Sequence, residues 1–319
     1  MTLKEALELF LKDYPNEKDL SVRTLSAYRK DLEQFVESCT PQQTIEDLNT
    51  AEVRQFVDWL RKSSFTDASI KRKIASLKVF FNYLEFNDHI TVSPLRKLKI
   101  TFQEERQMPD VLTTREVHRL LQSPAMKVKT LEDEVREHPG DDRLKRRWFF
   151  VLRDRTILEL LYSTGMRIGE LSMLNVEDIN LTEKTVSIEG RGGRERVGYF
   201  ASEDVKKILK IYLAERTRID TREGALFLNR KNSRLSIHSV ENIFRKYVRL
   251  AGIKRHITPH ALRHTVAAML LKNGADIRLV QNLLGHASIT TTQIYTEMVS
   301  STPKNTLKDM HQRTKMQVD

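Results

Sequence analysis

Across the first hundred residues, apolar side chains recur at three- and four-residue intervals, and no strand-like alternation interrupts them. That spacing restricts the segment to helices that each bury one stripe. Leu3, Ala6, Leu7, Phe10 and Leu11 make the first stripe. Behind Ser21, Thr24, Leu25, Ala27 and Tyr28 lead into Leu32, Phe35 and Val36 as the second. Thr50-Ala51-Glu52-Val53 reads as a capped start for a third helix, with Phe56, Val57 and Leu60 as its apolar face. A fourth opens at Ser69-Ile70 and turns Ile74, Leu77, Phe80, Phe81 and Leu84 inward, which leaves Lys71, Arg72, Lys73 and Lys78 on the other side. Four amphipathic helices of this length predict a small bundle.

Pro94 and Arg96-Lys97-Leu98-Lys99 close that unit. The sequence therefore divides into a helical domain over 1–100, a linker over 101–110 and a second domain over 111–319. Thr113 and Glu116 have the spacing of a capping box at the first helix of the second domain. Residues 127–147 are dense in charge and broken by Pro139-Gly140, which fits an extended loop or an exposed helix pair. A long apolar helix is expected from Phe149 to Tyr162, stopping at Gly165. Thr185–Glu189 and Glu195–Phe200 flank Gly190-Arg191-Gly192-Gly193-Arg194, the pattern of a short hairpin with a Gly-rich turn. Everything after Ser202 reads as helix again, with Gly252 and Gly274 as breaks. The fold class is thus mainly α, with a small β-sheet in an α+β second domain.

The 319 residues carry 54 Lys and Arg against 43 Asp and Glu, a net charge of +11. The excess is uneven: residues 1–105 sum to −1 and residues 106–319 to +12. A basic second domain fits a polyanionic partner such as nucleic acid. Cys39 is the only cysteine, which excludes an intrachain disulfide and a cysteine-built metal site and fits a reducing cytoplasm. Residues 1–14 mix apolar residues with Lys4, Glu5, Glu8 and Lys12, so no secretory signal is expected there. The longest apolar block elsewhere, Trp148 to Leu152, is far too short to span a bilayer. No membrane role is expected.

Chemistry concentrates late in the chain. His260-Ala261-Leu262-Arg263 precedes Leu284-Gly285-His286 and then Tyr295, while Thr164-Gly165-Met166-Arg167-Ile168-Gly169-Glu170-Leu171 supplies a second arginine at a helix start. Each residue alone has an ordinary reading: a capping or salt-bridging arginine, a packed histidine, an interface tyrosine. Together they suit the breaking of a phosphodiester bond without a metal. Arg167 and Arg263 can grip the non-bridging oxygens with planar forks that stay charged at any working pH. His260 and His286 can donate to the phosphate or relay a proton near neutral pH. Tyr295 offers an oxygen nucleophile, whose phenol needs such help at pH 7. Glu170 is placed to brace Arg167.

In this order and spacing, these motifs resemble the catalytic set of the tyrosine recombinases, the family that includes phage integrases and Xer-type recombinases. The resemblance covers nearly the whole chain. It implies that the first domain is a core-binding DNA-binding domain and that residues 111–319 form the catalytic domain. It implies a site-specific recombinase that cleaves and rejoins strands through a 3′-phosphotyrosyl intermediate on double-stranded DNA carrying a recombination site. No metal or other cofactor is implied. The assembly implied is a homo-tetramer, or a hetero-tetramer with a sister recombinase, in which Thr302 to Asp319 docks into a neighbour. In the family the hairpin turn carries a lysine that protonates the leaving 5′ oxygen, and here Arg191 stands at that place. Guanidinium holds charge well but gives up a proton poorly. Lys184 is a weak substitute. Lys71, Arg72, Lys73 and Arg194 are the expected DNA contacts. Two alternatives follow from the same residues: a catalytically impaired DNA-binding accessory protein, and a DNA-relaxing enzyme of the type IB topoisomerase kind.

Overall fold

The computed structural model describes residues 1–18, 20, 22–40, 42–96, 98, 100, 110–190, 195–200, 202–221 and 223–285. The chain divides into two compact units, 1–106 and 107–319. No helix among the described residues is long and apolar enough to cross a membrane.

The first unit contains α1 (Leu3–Lys18), α2 (Val22–Ser38), α3 (Thr50–Lys62) and α4 (Asp67–Phe86). Its core is aromatic: Phe10, Phe35, Phe56, Phe80 and Phe81 are almost fully buried, and Phe10 meets Phe80 edge to face at 5.4 Å. The caps differ from the sequence reading by one to three residues. Asn49, not Thr50, caps α3, its side chain accepting from Ala51 N–H while Glu52 reaches back. Thr66 caps α4 ahead of Asp67, so the helix starts before Ser69.

One placement overturns the sequence reading of α4. Lys73 lies on its buried stripe with Ile70, Leu77, Phe80 and Leu84, and only 2% of it is exposed. Its Nζ donates to the fully buried Asp31 of α2 at 3.0 Å and to Gln34. Ser76 Oγ donates to the same carboxylate at 2.9 Å, and Arg72 bonds it from the outer side. A buried ammonium requires such a counter-charge. Lys73 is therefore a structural cation of the bundle core, not an exposed contact for DNA.

The second unit opens with α5 (Thr114–Glu137), capped by Thr113 and Glu116 as a capping box. Arg255 also donates to Glu116, at 2.7 Å. Residues 127–147 form the end of α5, a turn through Pro139-Gly140, and the start of α6 (Asp142–Thr164), so the charged segment is a helix pair. Together with the later helix Ile237–Leu250 it borders a cationic groove of about 1270 Å³ that includes Arg119, Lys127, Arg143 and Arg147. From Leu152 onward α6 is buried on most sides and forms the centre of the larger core. It stops at Gly165 in the left-handed region, φ +60°.

A short α7 (Ile168–Met173) leads to an antiparallel sheet of β1 (Ile179–Asn180), β2 (Thr185–Glu189) and β3 (Glu195–Tyr199), in that order. The hairpin register pairs Val186 with Gly198 and Ile188 with Arg196. The two-residue β1 is an addition to the hairpin expected from sequence. Then come α8 (Glu203–Arg216), α9 (Ile237–Leu250), α10 (Pro259–Lys272) and α11 (Ile277–Leu284).

The expectation of helix throughout after Ser202 fails between α8 and α9. There the described residues form turns and isolated bridges such as Leu228 with Arg234. Long side chains satisfy the backbone in place of helical bonds. Arg216 donates to the carbonyls of Glu223 and Ala225 and Arg153 to that of Leu228, while Arg234, within the stretch, donates back to those of Ser172, Met173 and Leu174 at the end of α7.

Candidate active site

Three elements of the second unit converge on the last turn of α11. A helix C-terminus leaves its final carbonyls without intrahelical partners and carries partial negative charge. Here three successive carbonyls each accept from a different arginine. Arg196 Nε of β3 bonds Leu283 O at 3.2 Å, Arg263 Nη2 of α10 bonds Leu284 O, and Arg167 Nη2 at the start of α7 bonds Gly285 O at 3.1 Å. Arg263 Nη1 also donates to Gly165 O at 2.6 Å, which ties the end of α6 to the same point.

Two glycines make this approach possible. Gly285 takes φ +65° as the left-handed cap of α11, and a Cβ there would lie 3.2 Å from Arg196 Cδ. At Gly165 a Cβ would lie 2.4 Å from the Leu284 side chain. Each demands a residue without a Cβ.

A single carboxylate anchors the cluster. Glu170 accepts from Arg167 N–H at 2.7 Å and Arg167 Nη1 at 2.9 Å, and from Arg196 Nη1 at 2.9 Å and Nη2 at 2.6 Å. Burial works to raise its pKa. The hydrogen bonds from Arg196, then from Arg167, outweigh that and hold the carboxyl below the usual range. Burial is also the main influence on Arg263, only 4% exposed. Burial, then repulsion from Arg167 and Arg196, outweighs attraction from Glu170 and brings its pKa down to about 9, which leaves it cationic at neutral pH. Arg167 is more open, with 39% of its side chain exposed.

His260 sits exposed in the first turn of α10, one turn before Arg263 on the same helix. Thr258 caps this helix and Pro259 occupies its first position, which fixes where the turn begins. His264 is half-buried, and burial, then His260 and Arg263, lower its pKa.

The structure thus brings Arg167, Arg263 and His260 into one region, α11 ending two residues before His286. His286, Tyr295, Arg191 and Arg194 lie outside the described residues, as do the docking segment 302–319 and most of the linker. Lys184 is already engaged with Glu203 on the sheet. Lys71 and Arg72 are exposed on α4. Sequence reasoning missed Arg196. Its signal was available: it shares strand parity with the inward-facing Gly198, while Val197 and Tyr199 face out. No group of three or more His, Cys, Asp or Glu among the described residues is arranged to hold a metal ion.

Two guanidinium groups that meet at one helix end, with an imidazole one turn from the second of them, can together bind the oxygens of a phosphoryl group. Comparison with known proteins agrees in both units. Residues 149–301 match the Phage integrase family, and residues 7–86 match the phage integrase N-terminal SAM-like domain. Tyrosine recombinase XerC of Thermodesulfovibrio yellowstonii is 35% identical, covering 91% of this chain and 90% of its own length. Tyrosine recombinase XerD of Oceanobacillus iheyensis is 34% identical, covering 97% and 98%. The XerH site-specific recombinase, solved as a post-cleavage complex with palindromic difH substrate, shares the fold. Its TM-score is 0.71 at 24% identity, covering 92% of this chain and 81% of that one. The chain belongs to the phage integrase family and is a tyrosine-type site-specific recombinase.

Proposed function

We propose that this recombinase cuts one strand at a specific duplex site through Tyr295, in a synaptic tetramer, and passes it to a second site. The phenolic oxygen attacks the scissile phosphorus, the bond to the 5′ oxygen breaks, and that oxygen takes up a proton. A 3′-phosphotyrosyl strand and a free 5′-hydroxyl result, and a second 5′-hydroxyl reverses the step on a new partner. Arg167 and Arg263 hold the non-bridging oxygens, His260 and His286 donate to the phosphate or relay the tyrosine proton, and Arg191 contributes charge from the hairpin turn. No metal or other cofactor enters this scheme. Lys71, Arg72 and Arg194 contact the DNA backbone and fix position without reading bases. Residues 1–100 serve as the core-binding domain, 111–319 as the catalytic domain, and Thr302 to Asp319 dock into a neighbouring subunit. The protein works on DNA in the cytoplasm.

The observation that supports this reading best is the meeting of Arg167 and Arg263 at the end of α11, the turn that leads directly into His286. The test is a nicked suicide duplex bearing the candidate site, run on a denaturing gel with wild type and Tyr295→Phe. A retarded protein–DNA band in the wild type alone is the expected result. Binding without that band, in both Arg191 and Arg191→Lys protein, overturns the reading. A band restored only by Arg191→Lys assigns proton delivery to that turn.

A further inference from the structure

We infer that Arg196 is a positioning residue that keeps Arg167 free for the scissile phosphate by occupying both oxygens of Glu170. This inference rests on the reading of Arg167 as a phosphate ligand and deepens it.

Arg196 is poorly placed to hold phosphate itself. Its Nη1 and Nη2 meet Glu170 as a two-point fork, and its Nε is spent on Leu283 O. Arg167 differs. A guanidinium has five N–H donors, and Arg167 commits one to Glu170 and one to Gly285 O among the described residues. The rest are open to a ligand from the exposed side.

What stops Glu170 from taking more of Arg167 is competition. A carboxylate beside one guanidinium forms the two-point pair that suits both groups. Here Arg196 already holds that geometry on Glu170, so Arg167 is left with a one-point side-chain contact on the shared Oε1. Charge follows the same logic. With Arg196 present, Glu170, Arg167, Arg196 and Arg263 carry a net of +2 against an incoming phosphate. Without it, Glu170 and Arg167 cancel, and Arg263 alone remains in excess. Preorganised charge of this kind is usually the largest catalytic contribution.

The arrangement makes a specific prediction for a second-site change. Arg196→Ala lets Glu170 draw Arg167 into a two-point pair, and adduct formation on the suicide duplex falls on the order of 10- to 100-fold. Glu170→Gln added to Arg196→Ala removes the competing charge and restores at least about tenfold of that loss. Arg196→Lys, which keeps charge but not the fork, falls between. A second readout is pH. In Arg196→Ala, Glu170 stays buried but loses its main cation, so it protonates at higher pH than in the wild type. Adduct formation by this variant then rises as pH falls through that range, a limb absent from the wild type.

The experiment runs wild type, Arg196→Ala, Arg196→Lys and Arg196→Ala/Glu170→Gln of the full chain over a pH series, each with a melting curve. Rescue by the double variant and the acid limb in Arg196→Ala support the inference. A double variant no more active than Arg196→Ala, with activities tracking melting temperature, overturns it and leaves Arg196 a fold residue. A wild type that forms no adduct at all instead removes the underlying reading of Tyr295 and Arg167.

Discussion

Asp31 in the helical bundle and Glu170 in the second unit are both buried carboxylates that hold two cations, yet they are built to different ends. Asp31 spends its oxygens on Lys73 and Ser76 inside the core, and its surplus charge, Arg72, lies outward with 51% of its side chain exposed. Glu170 bonds two arginines with a third close by, and the surplus charge is held against the carbonyls of α11. Water satisfies the first excess. The second is pressed against weak backbone acceptors, and an oxyanion would satisfy it better. A buried acid with two bases is therefore not a functional signature by itself; what matters is where the unmatched charge is kept.

The strongest way to break the comparison is Arg263→Ala. It removes a cation of the second cluster and is expected to lower adduct formation on the suicide duplex about 10²–10³-fold. Asp31→Ala comes next and reads out in stability alone. Lys73 is left buried without its counter-charge, and urea unfolding of the first unit should show a loss of about 3–5 kcal/mol. Gly165→Ala tests the join between α6 and α11. With φ +60° and a Cβ at 2.4 Å from Leu284, it should cost about 1–3 kcal/mol in thermal unfolding and slow cleavage by displacing the α11 turn. Arg72→Ala should cost at most about 1 kcal/mol, because its partner keeps Lys73 and Ser76.

The smallest effect sharpens the rule from a third carboxylate. The hydrogen bond from Arg255 lowers the Glu116 pKa to about 2, from an ordinary value of 4.5, with burial opposing and Thr113 helping. A depressed folded pKa adds stability above the unfolded value. That stability is lost as pH falls from about 4.5 toward 2. Acid titration of the melting temperature should show this limb in the wild type and a weaker one in Arg255→Ala.

Much of this was legible in sequence because it is local. Helical stripes, the Thr113–Glu116 box, the stop at Gly165 and the hairpin all depend on residues a few positions apart. The motifs holding Arg167, His260 and Arg263 were legible as chemistry. What was not legible depends on distant partners. Lys73 reads as a surface lysine until Asp31, 42 residues away, is known to face it. Arg196 reads as one more charge in a basic hairpin until Glu170, 26 residues earlier, is seen to take its fork. The stretch between α8 and α9 is tied down by Arg153 of α6 and Arg216 of α8, which donate to its Leu228 and Ala225 carbonyls, partners that a window of local propensity does not weigh.

The triple arginine cap on α11 also bears on how such a protein can change over generations. Arg167 and Arg263, the cations proposed for the reaction, also finish a helix, so a substitution that silences the chemistry at either leaves Gly285 or Leu284 with a carbonyl to satisfy. Drift toward an inactive but folded descendant is thereby steered away from these arginines. It runs instead toward positions that do not cap that helix end. A silent member of the lineage would thus be expected to keep its arginines and to have lost something else.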